Sequence, residues 1–102
     1  MLDHVALKSV AEQMMAGTTV DLGSKRIPVK RTSSQRLKTV NFVLDGNEYT
    51  AIEQNPEKPS RWGQLARDGH RVVQIKDVAS RRFVAVVVDG EVKEYGQLEQ
   101  KD

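Results

Sequence analysis

The sequence contains no cysteine, which excludes disulfide bonds, thiolate metal sites and cysteine nucleophiles together. It also lacks any apolar run that approaches the roughly twenty residues a membrane helix needs. The first residues, MLDHVALKSVAEQMMAG, are interrupted by Asp3, His4 and Lys8 and follow no basic leader, so we do not expect a secretory signal. These absences predict a cytoplasmic protein that does not enter a membrane.

Patterns that carry chemistry are also scarce. The two histidines, His4 and His70, stand far apart, and neither belongs to a ligand spacing such as H-x-x-x-H, so we expect no metal site. The phosphate-binding patterns G-x-x-x-x-G-K-[ST] and G-x-G-x-x-G are both missing. A catalytic serine would be Ser33, Ser34 or Ser60 with His70 as its base, but nothing local orients such a set. We therefore expect no catalytic residue, no cofactor and no enzymatic activity.

The composition is that of one folded domain. The 102 residues suffice for a single core, and the balance of 38% hydrophobic and 29% charged residues argues against disorder. Fourteen of the apolar residues are valine, which favours strands. We expect one domain over residues 1–96, followed by a frayed tail over 97–102.

Two helices are predicted. Residues 3–16 carry an apolar stripe at 3.6-residue spacing, typical of a helix that packs on a sheet, and Asp3 can cap its start. A second helix is expected at 60–69, where Ser60 can cap the start and the Asp68-Gly69 pair marks the end. His70, just after this end, is explained as a cation favoured by the helix dipole.

The rest of the chain predicts an antiparallel meander of about six to seven short strands. Turn signals such as Gly23-Ser24, Asp45-Gly46 and Asp89-Gly90 separate the strand-like segments. The run from Phe83 to Val88 is apolar without alternation, which suits a strand covered on both faces. The expected fold is therefore α+β, and an open sheet flanked by the helices and a half-open barrel both fit the pattern.

The stretch SKRIPVKRTSSQRLK, from Ser24 to Lys38, holds six of the sixteen basic residues and no acid. Basic residues clustered in this way are the usual footprint of nucleic-acid or other polyanion binding. The candidate anion-binding residues are Lys25, Arg26, Lys30, Arg31, Arg36 and Lys38.

A plainer interpretation of the same stretch competes with anion binding. Pro28 cannot donate to a ladder, so its strand belongs at a sheet edge, where charge and proline prevent unwanted pairing. Lys38 alternates with Val40 and Phe42, so we expect it to reach out from the fringe of the core. The stretch also has no aromatic residue on which a base could stack. We favour edge protection. It stays open whether the acidic residues from Asp89 onward pair with the basic stretch and neutralise it.

A second candidate site lies at the start of the second helix. Trp62 and Arg61 are the predicted partner-binding residues. A tryptophan is most often a core anchor, but an exposed one would be an interaction hot spot. Gly63 is unusual inside a helix, where glycine costs about 1 kcal/mol against alanine, and it suggests close packing against a strand or room for a ligand. We predict a non-enzymatic module that binds a protein partner or a second copy of itself, with nucleic-acid binding through residues 25–38 as the alternative.

Overall fold

A computed structural model of the chain describes residues 2–96. Its elements are α1 (His4–Ala16), β1 (Thr19–Leu22), β2 (Lys25–Pro28), β3 (Lys30–Arg31), β4 (Lys38–Leu44), β5 (Asn47–Glu53), α2 (Arg61–Arg67), β6 (Val72–Asp77), β7 (Arg82–Val88) and β8 (Glu91–Glu94). The predicted tail at 97–102 lies outside the described residues.

The α+β meander predicted from the sequence is confirmed, and it takes the form of an open sheet. Six antiparallel strands lie in the order β3-β4-β5-β6-β7-β8, and β1 and β2 form a separate hairpin. The strand expected at RIPVK is divided, because β2 ends at Pro28 and β3 begins at Lys30. Between them, the backbone N–H of Val29 donates to the carbonyl oxygen of Thr18 at 2.8 Å.

Two of the tight turns follow directly from their dipeptides. Asp45-Gly46 joins β4 to β5 and Asp89-Gly90 joins β7 to β8, and all four residues have positive φ, between 50° and 86°. This is the type I′ geometry, whose twist matches that of the flanking strands.

Helix α1 crosses the strands and is tied to the sheet at both ends. Near its start, His4 Nε2 lies 2.5 Å from Glu94 Oε2 on β8, and near its end the carbonyl oxygen of Met15 accepts from Lys38 Nζ on β4 at 3.0 Å. Thirteen residues span about 20 Å at 1.5 Å per residue. The four strand spacings from β4 to β8 cover about 19 Å. The helix therefore reaches from one side of the five-stranded stretch to the other.

The core lies between α1 and the inner face of the sheet. The predicted stripe is confirmed, since Leu7, Val10, Ala11 and Met14 are buried. The sheet contributes the alternate residues of its four central strands, namely Val40, Phe42, Tyr49, Ala51, Val73, Ile75, Ala85 and Val87.

Helix α2 lies on the opposite, outer face, where it covers one end of the sheet. It is shorter than the predicted 60–69, and the hydroxyl of Ser60 caps it by accepting from the N–H of Gly63 at 3.2 Å. No helix in residues 2–96 is long and apolar enough to cross a membrane.

Gly63 allows close contact with the loop that precedes α2. The sequence suggested close contact with a strand, but the neighbouring backbone belongs to this loop. A Cβ atom at this position would lie 2.1 Å from the carbonyl oxygen of Lys58. The loop that precedes α2 thus folds back onto the first turn of the helix. This close approach fixes the loop and Trp62 relative to each other.

Candidate functional site

Within residues 2–96, the side chains of three of the six predicted anion-binding residues donate hydrogen bonds to other residues. Lys38 donates to the carbonyl oxygen of Met15 at the end of α1. Arg31 Nη1 donates to the carbonyl oxygen of Arg36 at 2.7 Å. In the β1–β2 hairpin, Arg26 Nε donates to Asp21 Oδ1 at 3.1 Å. These three cations hold local structure in the stretch for which anion binding was the alternative prediction.

The six basic residues also do not share one surface. Lys30 is paired with Thr39 and lies on the outer face, whereas Arg31 is paired with Lys38 and lies on the side of α1. Lys25 and Arg26 belong to the separate hairpin. Strand β3 is an edge of the sheet, which is the position that edge protection requires.

The acidic region lies at the other edge of the sheet. Asp89, Glu91 and Glu94 are on or next to β8, and their carboxylates contact His70, Lys93 and His4 respectively. Within the described part of the chain they do not pair with the basic stretch, and Glu99 and Asp102 lie outside it.

Three of the five aromatic residues instead meet on the outer face beside α2. The rings of Trp62 and Tyr95 are 6.3 Å apart and nearly perpendicular. Phe83 is 47% exposed and lines the same depression, which we call the aromatic groove. The groove has a volume of about 330 Å³ and is lined by Gln54, Lys58, Pro59, Ser60, Trp62, Gln74, Phe83 and Tyr95.

A β-bulge places Phe83 in this groove. Strict alternation in β7 would put Phe83 on the same side as the buried Ala85 and Val87. Opposite β7, Ile75 pairs with Ala85 but the next residue, Lys76, pairs with Phe83, so Val84 is an extra residue. The bulge reverses the alternation and turns Phe83 outward. The expectation that this run is covered on both faces is therefore wrong at Phe83.

Hydrogen bonds between side chains form the floor of the groove. Gln74 Nε2 donates to Gln54 Oε1 at 2.7 Å, and the Tyr95 hydroxyl donates to Gln74 Oε1. Gln54 Nε2 in turn donates to the carbonyl oxygen of Asn55. Burial raises the pKa of Tyr95 above its ordinary value, so its hydroxyl remains a donor at neutral pH. This chain of bonds holds the loop before α2 and the end of β8 against the sheet.

Cations accompany the aromatic rings. The guanidinium carbon of Arg61 lies 4.4 Å from the centre of the Trp62 ring system, and Lys76 Nζ lies 5.9 Å from the centre of Phe83. Lys58 belongs to the wall of the groove, and none of the residues within 2–96 that line it is acidic. The groove is therefore both aromatic and positively charged.

The open sheet beside the groove adds polar groups. Asn41, Thr50, Lys76 and Phe83 form one row across β4 to β7 on the outer face. Thr50 Oγ1 donates to Asn41 Oδ1 at 2.7 Å. Lys30 lies on the same face, three strands from Lys76, which corresponds to about 14 Å.

A second depression lies between α1 and the inner face of the sheet. It has a volume of about 220 Å³, with an apolar floor that includes Val73 and Val87 and a rim that includes Arg71 and Asp89. Asp89 accepts from the N–H of Arg71 at 2.9 Å and contacts His70 at 2.6 Å, so His70 pairs with this carboxylate in addition to following the end of α2. The pKa of Asp89 is lowered, mainly by the hydrogen bond from the Arg71 N–H and to a lesser extent by the hydrogen bond with His70. Residues 2–96 contain no group of three side chains that could hold a metal ion.

The sequence prediction named Trp62 and Arg61, which lie at this groove, but did not name Phe83, Lys76 or Tyr95. The missing signal is the bulge, because the alternation of β7 alone assigns Phe83 to the core. Comparisons of the chain with protein-family models, with curated proteins and with solved structures found no match.

Proposed function

We propose that the protein binds single-stranded nucleic acid on the outer face of its sheet. The observation that carries this proposal is the aromatic groove, where Phe83, Trp62 and Tyr95 meet with cations beside them and where the lining residues of the described chain include no acid. The proposed site is separate from the predicted basic stretch at 25–38. Of the basic residues in that stretch, the site includes only Lys30, which lies on the outer face of the sheet.

The aromatic rings are suited to stacking with bases. Phe83 presents its ring to solvent at the open end of the groove, and every base has a face that can stack on it. Arg61 lies over Trp62, and a guanidinium plane is a second surface on which bases stack. Bases in a duplex have their faces covered by neighbours, so the proposal is specific for single strands.

The charges are suited to a phosphate backbone. Lys30 and Lys76 lie on the outer face, Lys58 lies in the groove wall, and Arg61 lies over Trp62. In a plot of the logarithm of the binding constant against the logarithm of salt concentration, each neutralised phosphate of a single strand contributes about −0.7 to the slope. Four contacts predict a slope of about −3.

The proposed role is binding without catalysis. Both histidines contact carboxylates, His4 with Glu94 and His70 with Asp89, and this arrangement fits a structural use of their rings. A cytoplasmic location is part of the same proposal and is supported by the cysteine-free sequence.

The test uses Trp62, the single tryptophan of the chain, as an intrinsic fluorescent probe in the groove. Oligothymidylate and a duplex of equal length would be titrated at low and at moderate salt. We expect the single strand to change the fluorescence and to bind with the salt slope given above, and the duplex to bind more weakly.

Two variants locate the site. Phe83→Ala should weaken single-strand binding by about 5- to 150-fold, which corresponds to the loss of one stacked base. Val43→Ala is the matched control, since Val43 is also 47% exposed and lies on the outer face but away from the groove, and we expect unchanged binding. The proposal is wrong if the wild type binds no oligonucleotide at low salt, or if both variants bind equally well.

A further inference from the structure

Among the strands of residues 2–96, β8 forms the edge of the sheet opposite β3. No strand within residues 2–96 pairs with its outer side. The Asp89-Gly90 turn has two residues, so Val88 and Glu91 next to it exchange both of their hydrogen bonds across the hairpin. Alternation then directs the N–H and C=O groups of Val92 away from β7, toward the open side.

The side chains of β8 alternate in charge and position. Glu91 and Lys93 lie on the outer face with their charged atoms 3.2 Å apart, and Val92 and Glu94 lie on the side of α1. Charges on an edge strand normally discourage pairing with other strands. Pairing with β8 of a second copy is an exception when the strands are antiparallel and Val92 faces Val92. In that register Glu91 of each copy faces Lys93 of the other, so both pairs have opposite charges. Shifting this register by two residues, the smallest shift that keeps each side chain on its face of the sheet, would place Lys93 opposite Lys93 or Glu91 opposite Glu91.

Helix α1 provides an apolar residue at the same edge. Its first turn lies over β8, where His4 contacts Glu94. The adjacent Val5 is 81% exposed, the largest exposure among the large apolar residues of the described chain.

From these observations we propose that the protein forms a two-fold symmetric dimer in which β8 pairs with β8 of a second copy. The two sheets join into one of twelve strands, and the outward N–H and C=O groups of Val92 bond reciprocally across the symmetry axis. The inference goes beyond the proposed function and requires no nucleic acid.

The first test measures the molar mass of the full chain by sedimentation velocity over a range of concentrations, without nucleic acid. We expect a monomer–dimer equilibrium in the wild type. Lys93→Glu places like charges opposite each other twice and should weaken dimerisation by about tenfold or more. Adding Glu91→Lys to that variant restores opposite charges in the same register and should restore the dimer. Lys25→Glu makes the same change of charge on the distant β1–β2 hairpin and is the control.

Amide hydrogen exchange locates the interface and remains informative if one variant folds poorly. The Val92 amide should exchange quickly in dilute wild type and slowly as the protein concentration rises, with no such change in the Lys93→Glu variant. The proposal is overturned by a monomer at all concentrations, by a dimer that tolerates Lys93→Glu, or by protection that appears at β3 and not at β8.

Discussion

Replacing Gly63 by alanine should destabilise the protein, although the same change stabilises a typical helix interior. The added methyl carbon would lie 2.1 Å from the carbonyl oxygen of Lys58, a distance that non-bonded carbon and oxygen atoms do not adopt. The obstacle is backbone, so no side-chain rotation relieves it. Either the loop before α2 moves away or the first turn of the helix is distorted.

The expected magnitude follows from two opposing terms. Alanine gains about 1 kcal/mol over glycine in helix propensity. Overpacking a close contact costs about 1–3 kcal/mol, and a clash with backbone belongs at the upper end of that range. We therefore expect a net loss of about 1–2 kcal/mol in the free energy of unfolding, with a fall of about 4–8 °C in Tm for each kcal/mol in a domain of this size.

Thermal unfolding followed by circular dichroism measures this loss, and Gly17→Ala is the matched control. A Cβ atom on Gly17 would lie 3.8 Å from its nearest neighbour, and the residue is extended at φ −150°, so that variant should stay within about 0.5 kcal/mol of wild type. A Gly63→Ala variant as stable as wild type, or more stable, would refute the reasoning. Since the loop carries Lys58 and is adjacent to Trp62, the tryptophan emission of the folded variant should also shift.

Three further predictions concern the contacts that support the fold. Lys38→Met keeps the apolar stem but removes the ammonium bond to the end of α1, so urea unfolding should show a loss of about 1–2 kcal/mol, with oligonucleotide binding unchanged. Gln74→Leu leaves two partners of its amide unsatisfied and should cost about 1–3 kcal/mol in the same assay; an unchanged midpoint would contradict the hydrogen-bonded floor. The lowered pKa of Asp89 contributes stability that is complete above the ordinary value of 3.8 and is lost as pH falls through the folded value. Asp89→Asn should therefore flatten the decline of stability below about pH 4, and an identical pH profile would contradict it.

The sequence by itself determined the parts of this protein that depend on neighbouring residues. The stripe of α1 follows from its 3.6-residue period, and the turns at Asp45-Gly46 and Asp89-Gly90 follow from dipeptides that tolerate positive φ. The role of Lys38 at the fringe of the core follows from its alternation with Val40.

Only the tertiary structure decided which side chains share a surface. The side of the sheet that Phe83 occupies depends on a bulge in the pairing of β6 with β7, and no local pattern specifies its position. Phe83 and Tyr95 are distant from Trp62 along the chain, and the fold brings the three rings together in the aromatic groove, with Lys76 beside Phe83. Residues 25–38 are adjacent in sequence but are divided between a hairpin, an outer face and the end of a helix, because alternation and pairing send neighbouring cations in different directions.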